Sequence, residues 1–107
     1  VIENLNGKKT IIDLKTSSDC SPESFRRSCY KYGYDRQAAF YIDGFKADEF
    51  WFVVVEKEKP HRVAIYKASD EFVEEGRIKN NKLLRTYQEY FIKKVKNIDE
   101  FYFKGEL

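Results

Sequence analysis

The stretch "IIDLKTSSD", residues 11 to 19, places a carboxylate and an ammonium two positions apart, at Asp13 and Lys15. In an extended strand alternate residues share a face, so the two groups project together, roughly 7 Å apart along the chain. Two readings compete. A half-exposed strand carries such a pair as a same-face salt bridge worth at most about 1 kcal/mol. The flanking Ile11, Ile12 and Leu14 argue instead for an interior strand, where unpaired charge is costly and a catalytic role becomes more favourable. The chemistry that suits this layout is metal-assisted phosphodiester hydrolysis. A hard divalent cation takes oxygen ligands at about 2.1 Å, so carboxylates on adjacent strands can hold one beside a phosphate. The lysine can then orient the nucleophile and offset charge on the phosphorane. Only one such acid is visible on this strand.

The elements that must position these groups can be read from local patterns. Asn6-Gly7 between two strand-like runs favours a two-residue hairpin turn, because both central residues need positive φ. Counting outward from that turn pairs Leu5 with Lys8, Glu3 with Thr10 and Val1 with Ile12, and leaves the position before Val1 opposite Asp13. Ser21 as N-cap, Pro22 and Glu23 start a helix that Gly33 ends, with Phe25, Cys29 and Tyr32 on one face. A second helix runs from about Asp35 through "RQAAFYIDGF", with Ala38 and Ala39 small enough for close packing and Gln37 one turn from Tyr41. The run Phe50 to Val55, apolar on both faces, predicts a central strand, and Arg62 to Lys67 a strand nearer the edge. From Ser69 a long helix follows with Leu84, Tyr87, Phe91 and Val95 as its apolar stripe, and with Gly76 and "KNNK" as weak points. Residues 97–107 give no secure pattern.

Bulk composition narrows the class. A chain of 107 residues with 42% hydrophobic content supports one core, so a single domain is expected. Twenty basic and 18 acidic residues nearly cancel, which excludes a histone-like, purely electrostatic nucleic-acid binder. An anionic partner must therefore be held locally. No run is long and apolar enough for a membrane span and no signal-peptide layout opens the chain, so a cytoplasmic location is expected. Cys20 and Cys29 fit neither a metal knuckle nor a secreted disulfide scaffold, and the single His61 excludes a histidine-based triad or zinc site within the chain. With no methionine present, the sequence reads as a piece of a longer protein.

Taken in order, "IIDLKTS", a helix, "DRQAAFYIDGF", "FWFVVVEKEKPHRVAIYKAS" and a long helix with "EEGR" resemble the PD-(D/E)XK nucleases. The similarity is greatest to the exodeoxyribonuclease VIII and phage-type alkaline exonuclease branch used in recombination, and it covers about Lys9 to Lys96. The resemblance implies a three-layer α/β/α fold with a central mixed sheet, helices on both faces, and the Asp13–Lys15 strand near its centre. It makes Asp13 a metal-binding acid, Lys15 the catalytic lysine and Leu14 the residue whose carbonyl completes the metal shell. Gln37 and Tyr41 match the branch's Gln-x-x-x-Tyr motif, which faces DNA. The implied cofactor is magnesium, with manganese as a substitute. The implied partners are linear duplex DNA ends, further subunits of a homo-oligomer and a single-strand annealing protein.

One departure stands out. The family's first metal-binding acid, on the preceding strand, has no match here, and the hairpin register puts it at or before the start of the chain, opposite Asp13. Glu3 pairs with Thr10 and should face away. The chain alone is therefore expected to be a poor enzyme, truncated at its N-terminal side. Two further readings stay open: a DNA-binding or assembly module that keeps the fold without hydrolysis, and a plain α/β interaction domain in which the motif matches are accidental.

Overall fold

A computed structural model describes residues 1–92 and 105–106. Asn6 and Gly7 adopt φ of 52° and 79°, closing the tight turn between strand β1 (Ile2–Leu5) and strand β2 (Lys8–Ser17). The register is the one the turn predicts: Leu5 opposes Lys8, Glu3 opposes Thr10, and Val1 exchanges both backbone hydrogen bonds with Ile12. β2 pairs in parallel with β3 (Glu49–Glu56), which pairs antiparallel with β4 (Val63–Lys67), giving a mixed sheet of order β1-β2-β3-β4. β2 is thus interior and β4 lies at the edge of the four described strands.

Parallel neighbours require a crossover, and here it is helical. Helix α1 (Pro22–Tyr32) begins where the Ser21 hydroxyl accepts a hydrogen bond from the Ser24 amide. Gly33, at φ 67°, ends α1 and opens α2 (Tyr34–Phe45), a left-handed conformation that glycine adopts without a Cβ penalty. Helix α3 (Asp70–Tyr87) is capped by Ser69 and continues into one π-helical turn, Gln88–Ile92.

The core lies between the helices and one sheet face. Phe50, Phe52 and Val54 alternate along β3 into that layer, where Phe25, Tyr34, Tyr41, Tyr66 and Phe72 pack around them. Ala38 and Ala39 are fully buried, as close helix packing demands.

The expected α/β class with a mixed sheet holds, and several details differ. All three helices pack on the Phe50–Phe52–Val54 face, so among the described residues no helix covers the other side. That side carries half-buried Ile12, Trp51, Val53 and Val55 and exposed Leu14, Val63 and Ile65. β3 is therefore apolar on both faces but fully buried on one. Tyr32 is exposed, and Tyr34 takes the core position instead. Leu84 and Tyr87 are exposed because α3 has left α2 behind by that turn, and Val95 lies outside the described residues, as does most of 97–107. Gly76 is no weak point. It is buried where α3 crosses α2, and a Cβ there would overlap the backbone carbonyl of Asp35. Around that crossing Arg77 clamps Asp43 with two bonds of 3.0 and 2.8 Å, Lys79 pairs with buried Asp35, and Asn80 donates to the Arg36 carbonyl.

Candidate functional site

Residues 9, 11, 13 and 15 of β2 share the face that looks toward α2. The helix runs antiparallel to the strand. Gln37, near its start, accepts a 3.0 Å hydrogen bond from Lys15 Nζ, and the carbonyl of Phe45, at its end, accepts one of 2.6 Å from Lys9 Nζ. Between strand and helix lies a cleft of about 320 Å³ lined by Ile2, Ile11, Asp13, Gln37, Tyr41 and Phe45, among others. Asp13, Lys15, Gln37 and Tyr41, distant in sequence, thus meet at one place.

Lys15 is held from three sides. Its ammonium sits 2.9 Å from Asp13 Oδ2, 3.0 Å from Gln37 Oε1 and 4.2 Å from the centre of the Tyr34 ring. The Tyr34 ring is itself fixed by stacking on Phe52 and by contact with Phe25. Tyr34 is thus a packing residue that supports the lysine. Its spacing of three from Gln37, which puts both on one helix face, is the signal that links it to the site.

Asp13 Oδ2 is buried, yet no hydrogen bond reaches it: the nearby ammonium approaches at an angle that suits charge attraction only. With an ion pair as its one close contact, that oxygen keeps acceptor capacity for a further partner. The backbone carbonyl of Leu14 is a second oxygen of this strand segment. Its side chain is exposed on the uncovered sheet face, but its carbonyl points the same way as that of Ile12, which bonds Val1. The Leu14 carbonyl therefore opens at the strand edge just beyond Val1, beside Asp13. Two hard oxygens so placed suit magnesium or manganese in part; the remaining ligands must come from elsewhere. Among the described residues no three His, Cys, Asp or Glu side chains gather to hold a metal. Glu3, opposite Thr10, faces away as the alternation requires.

Tyr41 stacks on buried Phe50 at 6.4 Å and leaves its outer side open to the cleft mouth. Arg26, Arg27, Lys31 and Arg36 are exposed on the outer surfaces of α1 and α2, and none lines the cleft. Elsewhere, the buried Glu56 takes two bonds from Arg62 and one from the Cys20 amide, which hold its carboxyl down at about 2. Burial, with nearby Asp35, pushes the Cys29 thiol up to about 11. Neither cysteine is disulfide-bonded. No described helix is long and apolar enough to cross a membrane.

A family model described as "PDDEXK-like domain of unknown function (DUF3799)" matches residues 1–100. No curated protein matches the chain. Among solved structures, the crystal structure of SSO0001 is similar, with 21% identity and a TM-score of 0.48. That alignment covers 78% of this chain, which spans 37% of the length of SSO0001.

Proposed function

The chain belongs to the PDDEXK-like family DUF3799, which gives it a nuclease-type fold, and from that premise we propose that its parent protein is a metal-dependent DNA exonuclease. The observation that carries this reading is the meeting of Asp13, Lys15 and Gln37 around one carboxylate oxygen that is buried and lacks a hydrogen bond.

Asp13 and the Leu14 carbonyl would hold the metal ion, magnesium by preference. Bound there, such an ion supplies Lewis-acid activation of water and neutralises charge at the leaving oxygen. The other steps belong to the chain. Lys15 presents a positive charge to the scissile phosphate and steadies the negative charge that develops on it. Gln37 and the Tyr34 ring fix where that ammonium points. Tyr41, at the mouth, contacts the incoming DNA. The reading requires a second carboxylate facing Asp13, within the roughly 5 Å that separates directly paired Cβ atoms. We place that acid in the parent chain, and we assign the parent to the recombination-type exonucleases of phage or prophage origin that act on linear duplex ends.

The test incubates full-length parent protein with linear duplex DNA and magnesium. Degradation is expected, and Lys15→Ala should abolish it while leaving the fold intact by circular dichroism. Undiminished hydrolysis in that variant would remove Lys15 from the mechanism. A second reading has one observation in its favour, the single carboxylate that the described residues bring to the cleft. On it the domain binds DNA without cutting. Binding with no hydrolysis by the parent, in magnesium or manganese, would select that reading.

A further inference from the structure

Three aromatic rings are neighbours on α2, two of them, Tyr41 and Phe45, lining the cleft. Phe40, Tyr41 and Phe45 are 69%, 38% and 47% exposed. Phe40 meets Tyr41 edge-on at 5.9 Å, and Tyr41 stacks with Phe45 at 6.1 Å and an interplanar angle of 19°. Tyr41 rests on Phe50 from below, so the row is anchored to the core. Neighbouring exposed rings of this kind are costly in water and mark a binding surface.

Two cations lie at the Phe45 end of the row. Lys9 lies on the same face of β2 as Asp13, about 13 Å further along the strand by strand rise, and reaches the Phe45 carbonyl. Lys46 follows Phe45 directly and is exposed. Among the described residues neither ammonium is paired with a carboxylate, although other lysines of this end are: Lys8 and Lys67 both pair with Glu49. Of the acids at this end, Asp43 is paired with Arg77, while Asp48 accepts a bond from the Lys9 amide and keeps its charge. The surface therefore offers aromatic faces with two lysines at one end that no carboxylate pairs directly, beside the cleft that Asp13 lines.

We propose that Phe40, Tyr41 and Phe45 form a base-stacking ledge that receives a single-stranded DNA end, with Lys9 and Lys46 on its phosphates. Bases in an intact duplex are already stacked on one another and show only their edges. Splayed bases present the π-faces that a ring ledge engages, and single-strand binders combine such rings with a positive track in this way. The inference rests on the nuclease reading of the cleft and deepens it. The strand that reaches Asp13 does so frayed or single-stranded, passing over the ledge first.

The experiment measures binding by the full chain, in chelator so that nothing is cut, using fluorescence anisotropy of a labelled oligothymidylate and of a blunt duplex of equal length. We expect the single strand to bind at least tenfold more tightly. Replacing both Phe40 and Phe45 by leucine should weaken single-strand binding by about tenfold or more and leave duplex binding unchanged. Tryptophan at both positions should restore it. Leucine keeps an apolar side chain, so a merely greasy surface would show no difference. Equal affinity for the two DNAs, or unaltered binding by the leucine variant, overturns the proposal. So does self-association of the chain that the leucine variant abolishes, since the row would then be a contact between copies. Single-strand binding that persists in a parent protein showing no hydrolysis would sink the nuclease reading while leaving the ledge in place.

Discussion

Gly76 of α3 lies directly against the backbone carbonyl of Asp35 at the start of α2, with no room between them for a methyl group. The contact sets how closely the two helices approach, and through α2 it sets where Gln37 stands relative to Lys15. Helix propensity alone would favour alanine at this position by about 1 kcal/mol. The structure reverses that sign. Gly76→Ala should lose about 1–3 kcal/mol, the usual cost of overpacking, measured by urea denaturation. A gain in stability would mean that the helices do not cross there.

Lys15 and Gln37 should separate in their effects. Lys15→Ala removes the charge itself and should abolish hydrolysis by the parent. Gln37→Ala leaves the charge but frees it, so a smaller loss is expected, carried by kcat rather than KM. Thermal midpoints of both variants should stay near that of the unaltered protein. Equal losses would mean that Gln37 touches the substrate directly.

Glu56 makes stability depend on acid. Its two bonds from Arg62 and one from the Cys20 amide lower its carboxyl from an ordinary 4.5 to about 2 in the folded chain. A depressed folded value stabilises above pH 4.5 and is lost as pH falls toward 2. Glu56→Gln should therefore flatten part of the fall in urea midpoint across that window and cost stability at pH 7. Glu49, also lowered to about 2 by Lys67, Trp51 and Lys8, keeps some of the slope. An unchanged slope would show that the Glu56 network does not hold in solution.

Cys29 should be inert. Burial raises its thiol to about 11, leaving roughly a hundredfold less thiolate at pH 8 than an unperturbed cysteine has. Alkylation followed by peptide mass mapping should find Cys29 unmodified in the folded chain and modified in urea. Rapid labelling without denaturant would contradict its burial in the core.

The hairpin and the helix starts were legible because each is determined by a few adjacent residues. Asn6-Gly7 sets the register and Ser21-Pro22 the start of α1, and both hold in the structure. Asp13 and Lys15 share one face for the same reason. What a face meets is a different matter. Periodicity marked Leu84 and Tyr87 as a stripe, but only the position at which α3 leaves α2 decides that they are exposed. Gly76 reads as a helix weakness until the Asp35 carbonyl beside it is known. The lysine's support by Tyr34 likewise depends on how α2 lies across β2.

A lysine side chain has four torsions to lose when it is pinned, a cost that most surface lysines meet only when a ligand arrives. Lys15 meets it during folding, between the Tyr34 ring, the Gln37 amide and the Asp13 carboxylate. Two of those three partners are uncharged. An anion entering the cleft thus finds an ammonium that is already immobile but not fully neutralised, so entropy lost elsewhere on binding is saved here.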